Sequence, residues 1–389
     1  MIFILLLIVS LAAFAWLSIR HFRIALPLFI ALLPTYLIRF SIGPLPTTFL
    51  EVCFWVLFGS WIIHKGRHVG RPLQTPSRSF TITVFIFIIL SVTSLAVVPG
   101  EHVISSLGLW RAYFLEPFLF GWMVWEILST AKDPSLRQDL PDEGHATRLQ
   151  LFLSLAFSGF ILAVLGIVQY ATGLGIPAPW DVELRITSVF DYPNALGLFL
   201  APILSALLVF GVSTWKKRLA HEKMFVAGAS FFTFIAIVLA QTEAALVAIP
   251  GALFISLLVS PLSSQKQKIA ATLLAMVALV GAFAFSPARE KLLLRDLSGQ
   301  VRLSQWSETL SLLADHPLTG AGIGYYPELL RAYHQDWQYE IFQYPHMLLL
   351  NVWVELGLFG VLVGLVGLIF VAKKTWGGRN DALVLAAGA

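Results

Sequence analysis

Residues 269–286 read IAATLLAMVALVGAFAFS and residues 346–372 read HMLLLNVWVELGLFGVLVGLVGLIFVA; between them lies a polar and aromatic segment, Pro287–Pro345. Crossing the hydrocarbon of a bilayer takes about 20 apolar residues as a helix, and both flanking runs are near or above that length. The segment between them therefore stands outside hydrocarbon. In a chain that is 58% hydrophobic and 12% charged, with a mean hydropathy of +0.81, a polar insert of this size needs a reason, and chemistry is expected there.

Outward from this segment the same pattern repeats. Apolar runs cover approximately 1–19, 24–38, 46–63, 80–98, 107–128, 149–170, 195–212, 224–240 and 244–260, and a further run begins near Ala382. Soluble domains carry about 25% charged residues, so the expected fold is all-α: a polytopic membrane protein of eleven or twelve transmembrane helices. It is read as one integral domain over 1–389, with a long extracytoplasmic loop, 287–345, that contains short helices. The last run is too short to cross and is expected to be an incomplete helix. Met1–Ile19 is read as the first span, because no basic residues precede it and Arg20 and Arg23 follow it.

Cytoplasmic loops retain Lys and Arg, and these collect in alternate loops: Arg20 and Arg23; Lys65, Arg67, Arg71 and Arg78; Lys132, Arg137 and Arg148; Lys216, Lys217, Arg218 and Lys223; Lys266 and Lys268; Lys373, Lys374 and Arg379. The alternation supports the span assignment. It places 171–194 and 287–345 on the opposite, extracytoplasmic face. The net charge of +4 mostly reports this topology, and nothing points to nucleic acid. The single cysteine, Cys53, excludes an intrachain disulfide and speaks against a cysteine metal site.

Within the long loop, Arg302, Trp306 and Leu310 recur every four residues, with Leu303, Leu312 and Leu313 nearby, which predicts an amphipathic helix on the membrane surface or over a cavity. Gly320, Gly322 and Gly324 follow Pro317 and read as a flexible turn. The aromatic residues around it, Trp306, Tyr325 and Tyr326 among them, fit either an interfacial belt or a surface on which sugar rings stack.

Arg185 in the shorter external loop is either a snorkelling residue or a fixed guanidinium for phosphate oxygens. Asn194 is expected either to contact substrate or simply to cap the helix that follows. His346 is either structural or, since imidazole titrates near neutrality, a proton acceptor. Glu51, Glu116, Glu243 and Glu355 lie in or at the edges of spans, where acids are costly. Arg111 and Glu116 are five apart, about 140° around an α-helix, so their partners are expected on other helices. The His316 and His334-Gln335-Asp336 groups lack helical metal-site spacing, and no metal or other cofactor is expected.

Taken in order, RITSVFDYPN (Arg185–Asn194), Arg302-x-x-x-Trp306, PLTGAGIG (Pro317–Gly324), His346 and ELGLFG (Glu355–Gly360) resemble the bacterial O-antigen ligase and O-antigen polymerase superfamily across roughly residues 150–372. The resemblance implies a metal-independent GT-C-type glycosyltransferase of the bacterial inner membrane. Such enzymes move a glycan from a polyprenyl-diphosphate carrier to a hydroxyl on lipid, polysaccharide or protein at the outer face. It further implies that Arg185 binds diphosphate and that His346 contacts the acceptor hydroxyl or serves as base, with Arg302 and Arg289 as further phosphate contacts. The chain departs from the family where Gln241-Thr242-Glu243 stands in place of a Ser-Arg-Gly, an acid for a cation. The alternatives from the residues alone are a transporter whose intramembrane glutamates line a path, and an inactive envelope scaffold.

Overall fold

Each apolar run above, the last excepted, carries a helix in the computed structural model, which describes residues 2–43, 45–66, 77–130, 143–214, 219–260, 263–284 and 286–377. The run near Ala382 and several basic loop residues, Arg67, Lys132 and Lys216 among them, lie outside the described residues. The helices are α1 (Ile2–Arg20), α2 (Phe22–Ala31), α3 (Phe49–Gly66), α4 (Arg78–Thr93), α5 (Val103–Trp110), α6 (Glu116–Thr130), α7 (Glu143–Thr172), α8 (Pro193–Thr214), α9 (Ala220–Leu239), α10 (Glu243–Val259), α11 (Gln265–Ala284), α12 (Ser286–Leu292), α13 (Leu297–Asp315), α14 (Tyr326–Leu330) and α15 (Leu348–Gly377). By length and composition five described stretches can cross a membrane: Arg78–Val97, Thr147–Thr172, Pro193–Gly211, Ala220–Leu239 and Leu348–Lys373. The fold is all-α and polytopic.

One run departs from expectation. The span over 24–38 stops as α-helix at Ala31, passes through a 3₁₀ turn at Leu33–Leu37, and is followed by an antiparallel hairpin, β1 (Arg39–Ile42) with β2 (Leu45–Thr48). Pro34 ends the α-helical hydrogen bonding, and Gly43, at φ 62°, supplies the left-handed turn. Strand β2 thus occupies the start of the expected third span. Helix α3 begins on a capping box that the sequence spells as Thr48-x-x-Glu51. The Thr48 hydroxyl accepts from the Glu51 N–H at 3.1 Å, and the Glu51 carboxylate accepts from the Thr48 N–H at 3.0 Å and the Thr47 hydroxyl at 2.7 Å. Glu51 is accounted for as a cap.

The chain forms two compact units, one of residues 1–74, 126–271 and 372–389, the other of 75–125 and 272–371. In the first, α8 is the central helix, and Leu196, Leu200, Leu204 and Leu207 on one stripe are each at most 1% exposed. Lipid is as apolar as leucine, so helices associate there by close fit rather than by hydrophobic contrast. Small residues supply the fit. A side chain at Gly159 would lie 3.1 Å from Ile203, and one at Gly197 would lie 2.4 Å from Thr242.

In the second unit, α5 and α6 are joined through a π-helical turn at Arg111–Leu115. A π turn closes i to i+5 rather than i to i+4, which brings Arg111 and Glu116 onto one side. Arg111 Nε lies 3.3 Å from Glu116 Oε1. The expectation that these two point to different helices is corrected, because the local helix is not an α-helix.

Helix α15 is broken at Gly357 (φ 69°, ψ −178°). The sequence run was expected to be a single uninterrupted span. At the break, the Leu358 N–H turns from the Val354 carbonyl to that of Pro317 (3.2 Å), and the Val354 carbonyl accepts instead from Ala321 (2.6 Å) and Gly322 (3.1 Å). Trp353 Nε1 also donates to the Pro317 carbonyl, at 2.8 Å. PLTGAGIG and ELGLFG are therefore two halves of one interlocked structure. The glycine series is a packed wedge and not a loose turn.

Candidate active site

Arg185 belongs to the first unit, in the connection between α7 and α8. Its guanidinium stacks on the Trp180 ring, 5.0 Å from the centroid. Nε and Nη2 each donate to the Ala240 carbonyl at 3.3 Å, and Nη2 reaches the Gln241 carbonyl at 3.4 Å. These carbonyls close the C-terminal end of α9, where the helix dipole favours a cation. Glu183 is 3.9 Å from Nη1, and the Arg185 side chain is 16% exposed. The guanidinium is thus fixed rather than snorkelling. It is fixed upon the turn, Ala240–Glu243, where the resemblance implies a cation and the sequence carries an acid. Glu243 itself is the first residue of α10, where the dipole suits an acid.

The connection that carries Arg185 is held by Gln169 of α7, which the sequence reading did not single out. Its Oε1 accepts from the N–H groups of Thr187 (3.2 Å) and Ser188 (2.7 Å), and its Nε2 donates to the carbonyls of Gly175 (2.8 Å) and Ser188 (2.7 Å). Only a pairing across 18 and 19 residues reveals this, so no local pattern marks it. Asn194 is the second residue of α8 and is exposed. The expected cap is corrected by two positions, since Pro193 already opens the helix and Tyr192 precedes it.

His346 belongs to the second unit. It stands two residues before α15 rather than on it, with a left-handed backbone at φ 51°. Its ring meets Phe342 edge-on at 4.8 Å and Tyr344 at 4.7 Å between centroids. The neighbouring backbone is fastened to α13: Trp306 Nε1 donates to the Pro345 carbonyl at 2.6 Å, and Gln305 Nε2 to that of Phe342 at 3.4 Å. Partial burial, and then the positive charge of Arg302, push the His346 imidazolium below its ordinary value near 6.5. Arg302, Trp306 and His346, far apart in sequence, share one place.

The buried face of α13 is Gln305, Glu308, Thr309, Leu312 and Leu313, whereas Leu303 and Leu310 are 46% and 51% exposed. The amphipathic helix exists, and its buried face is rotated from the expected Arg302-Trp306-Leu310 stripe. That face is partly polar because it grips a loop. The buried Glu308 carboxylate accepts from the N–H groups of Gln335 (2.9 Å) and Asp336 (3.3 Å) and lies 3.1 Å from His334 Nδ1. Asp336 pairs with Ser304, and Tyr333 donates to Asp315 at 2.8 Å. His334 and Asp336 are thereby structural.

The remaining candidates separate. Tyr326 is 1% exposed and shares a 2.6 Å hydrogen bond with Thr309, so its assignment to sugar binding is corrected: the ring is core. Burial pushes its hydroxyl above the ordinary value. Tyr325 rests on the His102 ring at 5.1 Å and is half-buried. Arg289, on α12, pairs with Glu290 at 3.9 Å rather than with the groups around His346. Among the described residues no cluster of three or more His, Cys, Asp or Glu has metal-site geometry.

No curated protein and no solved structure matches the chain. Residues 228–365 match the sequence profile of the O-antigen ligase family. The matched stretch contains Arg302, Trp306, the glycine wedge, His346 and the helix break, while Arg185 precedes it. The match covers less than half of the chain, and over that stretch it supports the resemblance to the O-antigen ligase and polymerase superfamily.

Proposed function

We propose that this protein transfers a glycan from a polyprenyl-diphosphate carrier to an acceptor hydroxyl at the outer face of the bacterial cytoplasmic membrane, by a GT-C-type mechanism. The observation that carries the reading is the fastening of His346 beside Arg302 and Trp306 within the family domain. A depressed imidazole pKa keeps the ring neutral near pH 7, ready to accept a proton. The acceptor oxygen attacks the anomeric carbon while its proton passes to His346, the bond to the diphosphate oxygen breaks, and the configuration inverts. Charge grows on the departing diphosphate, and prepositioned cations stabilise it better than water does. Arg185 is assigned that role, with Arg302 as a further contact, in place of a metal ion.

The reading is tested by incubating the purified protein in liposomes with a defined polyprenyl-diphosphate glycan and lipid, polysaccharide and peptide acceptors. Product on one acceptor class is expected, and none on any would overturn it. Arg185→Ala is expected to lower transfer about 10²-fold, the scale of one lost charge-stabilising donor, while the protein still elutes as a folded species.

A pH profile checks the second cation. Arg302 disfavours the protonated His346, so its removal raises the pKa of that ring. Arg302→Gln is therefore expected to move the acid limb of kcat/KM to higher pH, partway back toward 6.5, because burial remains the larger cause. An unmoved limb would show that His346 does not set it.

A further inference from the structure

The side chain of Gln169 spends its whole hydrogen-bonding capacity on one loop. An amide offers two N–H donors and an oxygen with two lone pairs. Here both donors go to the carbonyls of Gly175 and Ser188, and the oxygen takes the N–H groups of Thr187 and Ser188. Ser188 is held in a left-handed conformation, φ 54°. One turn earlier on α7, Gly166 leaves space that Ile186 fills: a Cβ there would lie 2.8 Å from Ile186 Cδ1. Gly166 and Gln169 thus grip 186–188 from one helix face. Arg185 is the next residue, and its own N–H is bonded to the Trp180 carbonyl at 3.0 Å. The position of its guanidinium over the α9–α10 turn follows from where this grip holds its backbone.

We infer that Gln169 is a positioning residue for Arg185, setting the affinity for the diphosphate of the lipid-linked donor; this rests on the reading of Arg185 as a diphosphate contact. Glutamine is required rather than merely suitable. A glutamate of the same shape keeps the two accepted bonds but turns two donations into repulsion against the Gly175 and Ser188 carbonyls. A displacement of the loop carries Arg185 with it, and ångström-scale misplacement of a binding group costs up to about 10²-fold.

The test compares Gln169→Glu, Arg185→Lys and the double variant of the full chain in nanodiscs, with separate KM values for polyprenyl-diphosphate glycan and for acceptor. Gln169→Glu is expected to raise the donor KM on the order of tenfold or more and to leave the acceptor KM unchanged. Residues acting through one contact are not additive, so Gln169→Glu is expected to add little once Arg185 is lysine. An unchanged donor KM in Gln169→Glu, or a full additional effect on the Arg185→Lys background, overturns the inference. If Arg185→Lys itself leaves the donor KM unchanged, the diphosphate reading of Arg185 fails first.

A second measurement needs no variant. In the unaltered protein, polyprenyl diphosphate is expected to slow hydrogen exchange at the Thr187 and Ser188 amides, which Gln169 holds. No change at saturating lipid would equally overturn the coupling.

Discussion

Replacing His346 with alanine is expected to lower glycan transfer by about 10²–10⁴-fold, the usual contribution of a positioned proton acceptor, with the protein still folded in membranes. The side chain is only partly buried, and its ring contacts are with Phe342 and Tyr344. The segment is fastened by Trp306 to the Pro345 carbonyl and by Gln305 to that of Phe342, bonds that no substitution at 346 removes. The backbone at φ 51° suits asparagine better than alanine. His346→Asn is accordingly the cleaner variant, since it keeps the local conformation and loses the base. Transfer by both variants near the parental rate would refute the assignment of His346.

The second large effect is on stability. Gly357→Ala is expected to lose several kcal/mol, read as a marked drop in the temperature at which detergent-solubilised protein aggregates. A Cβ at Gly357 would sit 1.8 Å from the Leu318 carbonyl oxygen and 2.6 Å from its carbonyl carbon. Those atoms are backbone and cannot rotate aside. At φ 69° and ψ −178° the backbone lies in a region open essentially only to glycine, which adds on the order of 1–3 kcal/mol for any residue with a Cβ. Relief requires the wedge to withdraw, which strands the Val354 carbonyl and the Leu358 N–H without the partners that replaced their helical bond. In an apolar setting each unpaired group is costly. Gly364→Ala is the control: its Cβ would meet only Phe87 at 3.5 Å, an ordinary contact. Equal stability of Gly357→Ala and the parent would show that the break is not held by this fit.

The acidic residues within the spans show how differently individual positions are legible. The role of Glu51 could have been read from Thr48-x-x-Glu51 alone, since a capping box is local. Glu116 could not be assigned, because the π turn that brings Arg111 to it has no sequence signature of its own. Glu308 was overlooked because its partners lie 26 to 28 residues later, and two of the three are backbone N–H groups that any sequence would offer, the third being the His334 ring. Glu51 as a cap, Glu243 at a helix start and Glu116 beside Arg111 each have a local role that needs no transport path to account for it.

Hydropathy and the alternation of basic loops, both one-dimensional quantities, were enough to establish an all-α polytopic chain with a long polar segment at 287–345, and the ordered motifs were enough to suggest its superfamily. The order of those motifs also picked out Arg302, Trp306 and His346. That they meet was decided by α13, whose polar face collects a loop through bonds spanning some forty residues. That PLTGAGIG and ELGLFG are one structure was decided by an exchange of backbone hydrogen bonds at Gly357. Periodicity records which face of a helix is apolar, whereas a backbone group redirected to a distant strand of chain leaves no trace in side-chain pattern. The fold class was therefore in the sequence, and the site existed only once the chain was packed.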